Sequence, residues 1–217
     1  MRARMTLPPT CAVHRSFYAR SGKRMFDFTL AFVLTVACSI PIALIALAIR
    51  LFSGSPVLFR QTRIGRGGKP FQICKFRTMR LRSDAAGSVT VAGDPRVTPL
   101  GRPLRRYKLD ELPQLWNILR GNMSFVGPRP EVPEYADLLQ EKHPDILSVR
   151  PGITGPATIA YAYEEAVLAA QDDPASYSKS VIYPHKIIVN REYVRRITLA
   201  QDLRWMLQTA LVCFKHT

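Results

Sequence analysis

Between Phe28 and Ile49 the chain carries no charged residue, a stretch of about the length a helix needs to cross the hydrocarbon of a bilayer. Few folds accept such a run: it is buried in a core, it crosses a membrane, or it dips into one and returns. Ser39-Ile40-Pro41 lies near its middle. Proline removes a backbone hydrogen bond and crowds the preceding turn, so a break is expected there, with Ser39 placed to satisfy a freed carbonyl. The flanks help to choose. Arg15, Arg20, Lys23 and Arg24 precede the run, and Arg50, Arg60, Arg63 and Arg66 follow it. A true span concentrates Lys and Arg on its cytoplasmic side. Both ends are basic here, which favours a re-entrant membrane helix-hairpin over a kinked span, and either over a core helix.

Around this run the chain divides into a basic, flexible tail (1–21), the hairpin (22–51) and a remaining domain (52–217). The net charge of +15 and a pI of about 10.2 imply an anionic partner: nucleic acid, an anionic membrane or a phosphorylated substrate. The four cysteines are scattered without a CxxC, and the four histidines lack metal-ligand spacing, so neither a disulfide framework nor a zinc site is expected.

Past Gly54, Pro56 to Ile64 and Phe71 to Phe76 flank Gly65-Arg66-Gly67-Gly68-Lys69-Pro70, the pattern of a small β-hairpin. Alternation places Lys75 and Arg77 on one strand face, where they are either a phosphate contact or a solvated basic edge. Residues 83–99 read as a loop, 130–147 as a helix bearing Tyr135, Leu138 and Leu139, and 150–156 as an irregular Gly/Pro loop. A further helix is expected over 162–170. Leu203, Met206, Leu207, Ala210, Leu211 and Phe214 give an amphipathic helix over 202–214, suited to a core or to a membrane surface.

The chemistry concentrates in Lys108-Leu109-Asp110-Glu111-Leu112-Pro113-Gln114-Leu115-Trp116-Asn117. Pro113 marks a helix start, which makes Asp110 an N-cap and Glu111 a first-turn acid on the ordinary reading. Their company argues for more. Arg102, Arg105, Arg106 and Lys108 precede the pair and Arg129 follows it. Cations around a helix start make a phosphate site, and carboxylates placed there hold a metal against the phosphate or attack it.

These motifs together resemble the monotopic bacterial sugar transferases, the polyprenyl-phosphate phosphoglycosyl transferases. The matching residues are Lys23-Arg24-Met25-Phe26-Asp27, Pro41, Pro56 to Gln61, Arg63-Ile64-Gly65 and Lys75-Phe76-Arg77-Thr78-Met79. Leu109 to Leu115, Gly121 to Pro130 and Val149 to Gly155 complete the set, in fixed order. The resemblance implies an α+β, predominantly α-helical fold with amphipathic interfacial helices. The domain 52–217 is then catalytic and faces the cytoplasm from the bacterial inner membrane. It implies transfer of a sugar-1-phosphate from a nucleotide diphosphate sugar, usually a UDP-sugar, to a membrane polyprenyl phosphate, which starts a cell-surface glycan. Asp110 is the nucleophile by this resemblance and Glu111 a catalytic ligand of Mg²⁺, with Mn²⁺ able to substitute. Arg105 and Arg129 match phosphate-holding positions, and Lys75, Arg77 and Arg150 are weaker carry-overs. Ser39 and Pro41 mark the hairpin break, although the family usually has an adjacent Ser-Pro pair and Ile40 intervenes here. Departures increase after Gly155, so the sugar is not legible. The implied partners are donor, lipid acceptor and membrane lipids, with a homo-oligomer left open and no nucleic acid. The rivals are a membrane-tethered nucleic-acid binder, a non-catalytic scaffold, and a glycosyl transferase that releases UDP.

Overall fold

The computed structural model describes residues 17–80 and 93–215. It is mainly helical, with two two-stranded sheets among the described residues, an α+β chain as expected. A π-helical turn, Tyr18–Gly22, runs into α1, Lys23–Ala37. Residues 17–21 are therefore helical rather than tail, and residues 1–16 lie outside the described part. After Cys38 the chain turns into α2, Ser39–Phe52, bent from α1 by 62°. Pro41 is the third residue of α2, where a missing N–H leaves no helical bond unmade, and the Ser39 hydroxyl donates to the Val36 carbonyl at 2.8 Å. No single helix among the described residues is long and apolar enough to cross a membrane.

Only one side of this pair is covered. Asp27 and Ala31 on α1 and Ile49 on α2 are buried, whereas Phe28, Phe32, Val36, Ile40, Leu44, Leu47 and Leu51 are exposed. A simple core helix is therefore excluded. Asp27 accepts the Phe125 N–H at 3.2 Å. Arg24 donates to the carbonyls of Ile118 at 2.6 Å and Leu119 at 2.9 Å.

The hairpin forms as its pattern demands. β1, Leu58–Ile64, pairs antiparallel with β2, Pro70–Phe76, around Gly67 and Gly68, whose φ values are 69° and 75°. Of the expected loop, residues 83–92 lie outside the described part, and Met79 bridges Val97. Next come α3, Gly101–Arg106, a 3₁₀ turn, Leu109–Glu111, and α4, Gln114–Leu119.

β3, Ser124–Val126, pairs in parallel with β4, Gly152–Thr154, which lies inside the expected irregular loop 150–156. The backbones approach so closely that a Cβ on Gly152 would lie 2.1 Å from the Gly127 nitrogen. Between these strands the expected single helix is two, α5, Ala136–Lys142, and α6, Pro144–Leu147, because Pro144 cannot continue α5. α7, Pro156–Ala160, α8, Glu164–Ala169, and α9, Pro174–Tyr177, lead through a π-helical turn into α10, Tyr183–Arg195. α11, Leu199–Lys215, starts three residues before its expected position, because Thr198 Oγ1 accepts the Gln201 N–H at 3.2 Å and opens the helix. The main core gathers Ala31, Ile73, Leu115, Ile118, Met123, Phe125 and Val194. α1, β2, α4, β3 and α10 thus enclose one hydrophobic centre.

Candidate active site

The acidic pair sits one turn before α4, not at its start. Pro113 precedes Gln114 at the helix start, and no side chain caps it. Asp110 and Glu111 occupy the 3₁₀ turn instead, 7% and 8% exposed. The capping reading of Asp110 therefore fails: its Oδ1 is buried with no hydrogen-bond partner. Lys108, just before the turn, has a φ of 57°. That region is unfavourable for a residue with a Cβ, and it lets the chain reverse tightly enough to turn both acids inward.

Asn117 sets the depth of α4 against the hairpin. Its Oδ1 accepts the Cys74 N–H at 3.0 Å and its Nδ2 donates to the Gln72 carbonyl at 2.7 Å. One side chain thus acts as a neighbouring strand for β2. Lys75 is brought over the acidic turn, and its Nζ lies 2.6 Å from Glu111 Oε1. Arg129, from the segment after β3, reaches the same oxygen at 3.8 Å. Burial alone would raise the Glu111 carboxyl, but Lys75, then Arg129 and Lys108, hold it down at about 2. Burial lowers the Lys75 ammonium, an effect that Glu111 opposes. Asp110 is displaced the other way: burial, then the Glu111 charge, raises it, against Lys75, Lys108 and Arg105. One turn therefore carries two carboxylates pushed apart in acidity.

Arg105 stands at the rim, bonded to Glu165 of α8, and its charge acts on Asp110. Two other expected phosphate ligands are engaged elsewhere. β2 ends at Phe76, so Arg77 does not continue the Lys75 face. It is 6% exposed and donates to the carbonyls of Ser53, Gly54 and Ser55 at 2.5, 2.9 and 3.1 Å. A cation on carbonyls just past α2 is favourable, and it fastens the exit of the helical pair to the domain. Arg150 Nε donates to the Gly121 carbonyl at 2.8 Å, in the turn that follows α4. For Arg77→Met we expect a stability loss of about 2–3 kcal/mol, since charge-assisted bonds are removed. KM for a phosphorylated substrate should stay within about two-fold, and thermal denaturation together with kinetics checks both.

Arg63 and Gln114 were missed. Both line the cleft with Lys75, Glu111, Arg129 and Gly152. For Arg63 the signal is present: in β1 it stands opposite Phe71 of β2, and period-2 alternation puts it on the Lys75 face. Its guanidinium is lowered by burial and then by Arg129, against Glu131, so with Lys75 three cations line one cleft. Such a surplus suits a multiply charged anion. Among the described residues no three His, Cys, Asp or Glu side chains cluster as metal ligands.

Comparison with known proteins decides the family. A family model described as bacterial sugar transferase matches residues 18–216. The chain belongs to the bacterial sugar transferase family. Within it, the chain is 48% identical over 141 residues to a UDP-glucose:undecaprenyl-phosphate glucose-1-phosphate transferase of Caulobacter vibrioides, covering 63% of this chain and 53% of that protein. It is 45% identical over 137 residues to the uncharacterised sugar transferase EpsL of Bacillus subtilis, covering 63% and 67%. An undecaprenyl-phosphate glucose phosphotransferase of Komagataeibacter xylinus is 40% identical over 190 residues, 84% of this chain and 34% of that one. The bacterial sugar transferase described here thus spans about half of the Caulobacter protein and a third of the Komagataeibacter one.

Proposed function

We propose that the chain transfers a sugar-1-phosphate from a nucleotide diphosphate sugar, most simply a UDP-sugar, to a membrane polyprenyl phosphate. Relatives named for transfer to undecaprenyl phosphate support this reading. The observation that carries the mechanism is Asp110 Oδ1, a buried carboxylate oxygen without a hydrogen-bond partner, inside a ring of cations. A carboxylate stripped of solvent and partners is a stronger nucleophile. Asp110 attacks the phosphorus that bears the sugar, the bond to the UMP oxygen breaks, and UMP leaves with the electron pair. An oxygen of the polyprenyl phosphate then attacks the aspartyl phosphate, forming the lipid diphosphate sugar and returning the Asp110 carboxylate. Arg129, Arg63 and Lys75 offset the charge of the diphosphate, and a donor phosphate competes with Glu165 for Arg105.

A hard cation fits these residues, because Glu111 is held ionised and the Asp110 oxygen is open. Mg²⁺ characteristically takes one or two carboxylates and completes its shell from phosphates and water. Glu111 is the residue that would hold it, and the ion would supply charge neutralisation at the phosphoryl group.

The exposed apolar side of α1 and α2 is read as lying in the membrane, with the 62° bend returning the chain to the face it entered. Leu203, Leu207 and Leu211, exposed along one side of α11, suit the interface. This arrangement keeps Asp110 where a soluble donor and a lipid acceptor meet. Thiol labelling at both ends of the hairpin from one side of a sealed vesicle tests it, and labelling from opposite sides contradicts it.

The activity test is product analysis with UDP-sugars, Mg²⁺ and undecaprenyl phosphate. The mechanism gives UMP. Release of UDP means sugar transfer without its phosphate and removes Asp110 from its assigned role.

A further inference from the structure

A second cleft, open to solvent, adjoins the first, with Arg129 and Pro130 lining both. Its floor is aliphatic, formed by Ile64, Leu139, Ile146 and Ile187, and two acceptor-bearing side chains line it, Glu131 and Asn190. Asn190, on α10, is 5% exposed, and its Oδ1 has no hydrogen-bond partner. Glu131 is fixed through its backbone, whose carbonyl accepts the Ile64 N–H at 2.9 Å. Among the described residues its carboxylate makes no ion pair; Lys186, Arg63 and Arg129 act on it from further off. A buried acceptor left open costs about 1–3 kcal/mol, and folded proteins leave few of them. One buried acceptor without a partner and one half-buried carboxylate without an ion pair, beside a single cleft, suit a donor from outside the chain.

We propose that this second cleft is the sugar subsite of the donor, in which Glu131 and Asn190 accept hydrogen bonds from hydroxyl or amide N–H groups of the sugar. The proposal rests on the reading of the first cleft as the phosphosugar site. With the diphosphate at Arg129, the group attached to it reaches past Pro130 into the second cleft. A pyranose presents several hydroxyl donors and an apolar face, which match the two acceptors and the aliphatic floor. A pyrimidine base of uracil type matches less well, because its carbonyl acceptors would face acceptors. Asn190 comes from the segment beyond Gly155, where the family motifs end, so the residue that selects the sugar lies outside the block that carries the chemistry.

The test uses the full chain in detergent with Asp110→Asn as background, so that binding is read without turnover. It is titrated with UDP and with UDP-glucose, UDP-galactose, UDP-N-acetylglucosamine and UDP-N-acetylgalactosamine. At least one sugar nucleotide should bind more tightly than UDP by about 10-fold, the worth of one well-made hydrogen bond to a charged group. Asn190→Leu and Glu131→Gln should each remove most of that advantage and leave UDP affinity within about two-fold. If Asn190→Leu does not fold, Glu131→Gln, which keeps shape and volume, decides alone. No sugar nucleotide tighter than UDP, or an unchanged advantage in the folded variants, overturns the subsite. UMP release by the chain with Asp110 intact separates the two readings: if UMP appears while the variants keep their preference, the subsite fails and the phosphosugar reading stands.

Discussion

Asp110→Asn should reduce UMP release by at least about 10³-fold, the scale seen when a covalent nucleophile is removed, without loss of fold. The amide is nearly isosteric with the carboxylate but cannot form the aspartyl phosphate. Stability should hold or rise at neutral pH. Burial and the Glu111 charge raise the Asp110 carboxyl above its unfolded value. Its ionised form is therefore disfavoured by folding, and its contribution to stability is largest at low pH and lost as pH rises through the folded value. Glu111 runs the other way. Held at about 2, it stabilises the fold above its unfolded value of about 4.3, and that contribution is lost as pH falls towards 2. The acid limb of kcat/KM should consequently lie above the ordinary aspartate value of about 3.9, because Asp110 must be ionised to attack. A rate that stays flat through that range in the wild-type chain speaks against Asp110 as the attacking group.

Asp202→Ala should be the most damaging substitution away from the cleft. Asp202 is fully buried and accepts from Lys23 at 2.5 Å, Tyr18 at 2.7 Å and Tyr193 at 2.6 Å. One carboxylate thus ties the π-helical turn and α1 to α10 and α11. Removing it strands the Lys23 ammonium, whose side chain is 12% exposed, together with the Tyr18 phenol, while Tyr193 keeps the Val126 carbonyl. Breaking a buried ion pair from one side costs about 3–5 kcal/mol, which for a chain of this size lowers Tm by roughly 10 °C. Asp202→Asn keeps one acceptor oxygen and the side-chain volume, and should cost less. Thermal unfolding in detergent checks the order, and equal Tm values for wild type and Asp202→Ala contradict it.

The features legible in the sequence are those with a local cause. The β-hairpin follows from alternating residues around Gly67 and Gly68. The break near Pro41 follows from proline chemistry, and the acidic turn from Pro113 and its basic neighbours. The parallel pair of β3 and β4 has no such signal: each strand is three residues long, and they meet only because Gly127 and Gly152 let distant backbones touch. α10 mixes Ile187 and Val194 with Asn190 and Arg191, too little periodicity to announce a helix, yet it supplies Tyr193 to the Asp202 cluster and Asn190 to the second cleft. Arg77 and Arg150 are the opposite case. Charge and motif position pointed to phosphate, whereas their geometry depends on carbonyls near Ser53 and Gly121 that no local pattern reveals. Asn117 lay in plain view within the acidic block, but its task of pairing with β2 depends on the depth at which α4 packs.

The most direct measurement is intact-protein mass spectrometry after mixing the chain with a UDP-sugar and Mg²⁺ in the absence of polyprenyl phosphate. One added sugar phosphate is expected, located by fragmentation at Asp110, discharged when undecaprenyl phosphate is supplied and absent in Asp110→Asn. UMP release that requires the lipid acceptor, with no adduct at any time, would mean direct displacement and contradict the covalent route.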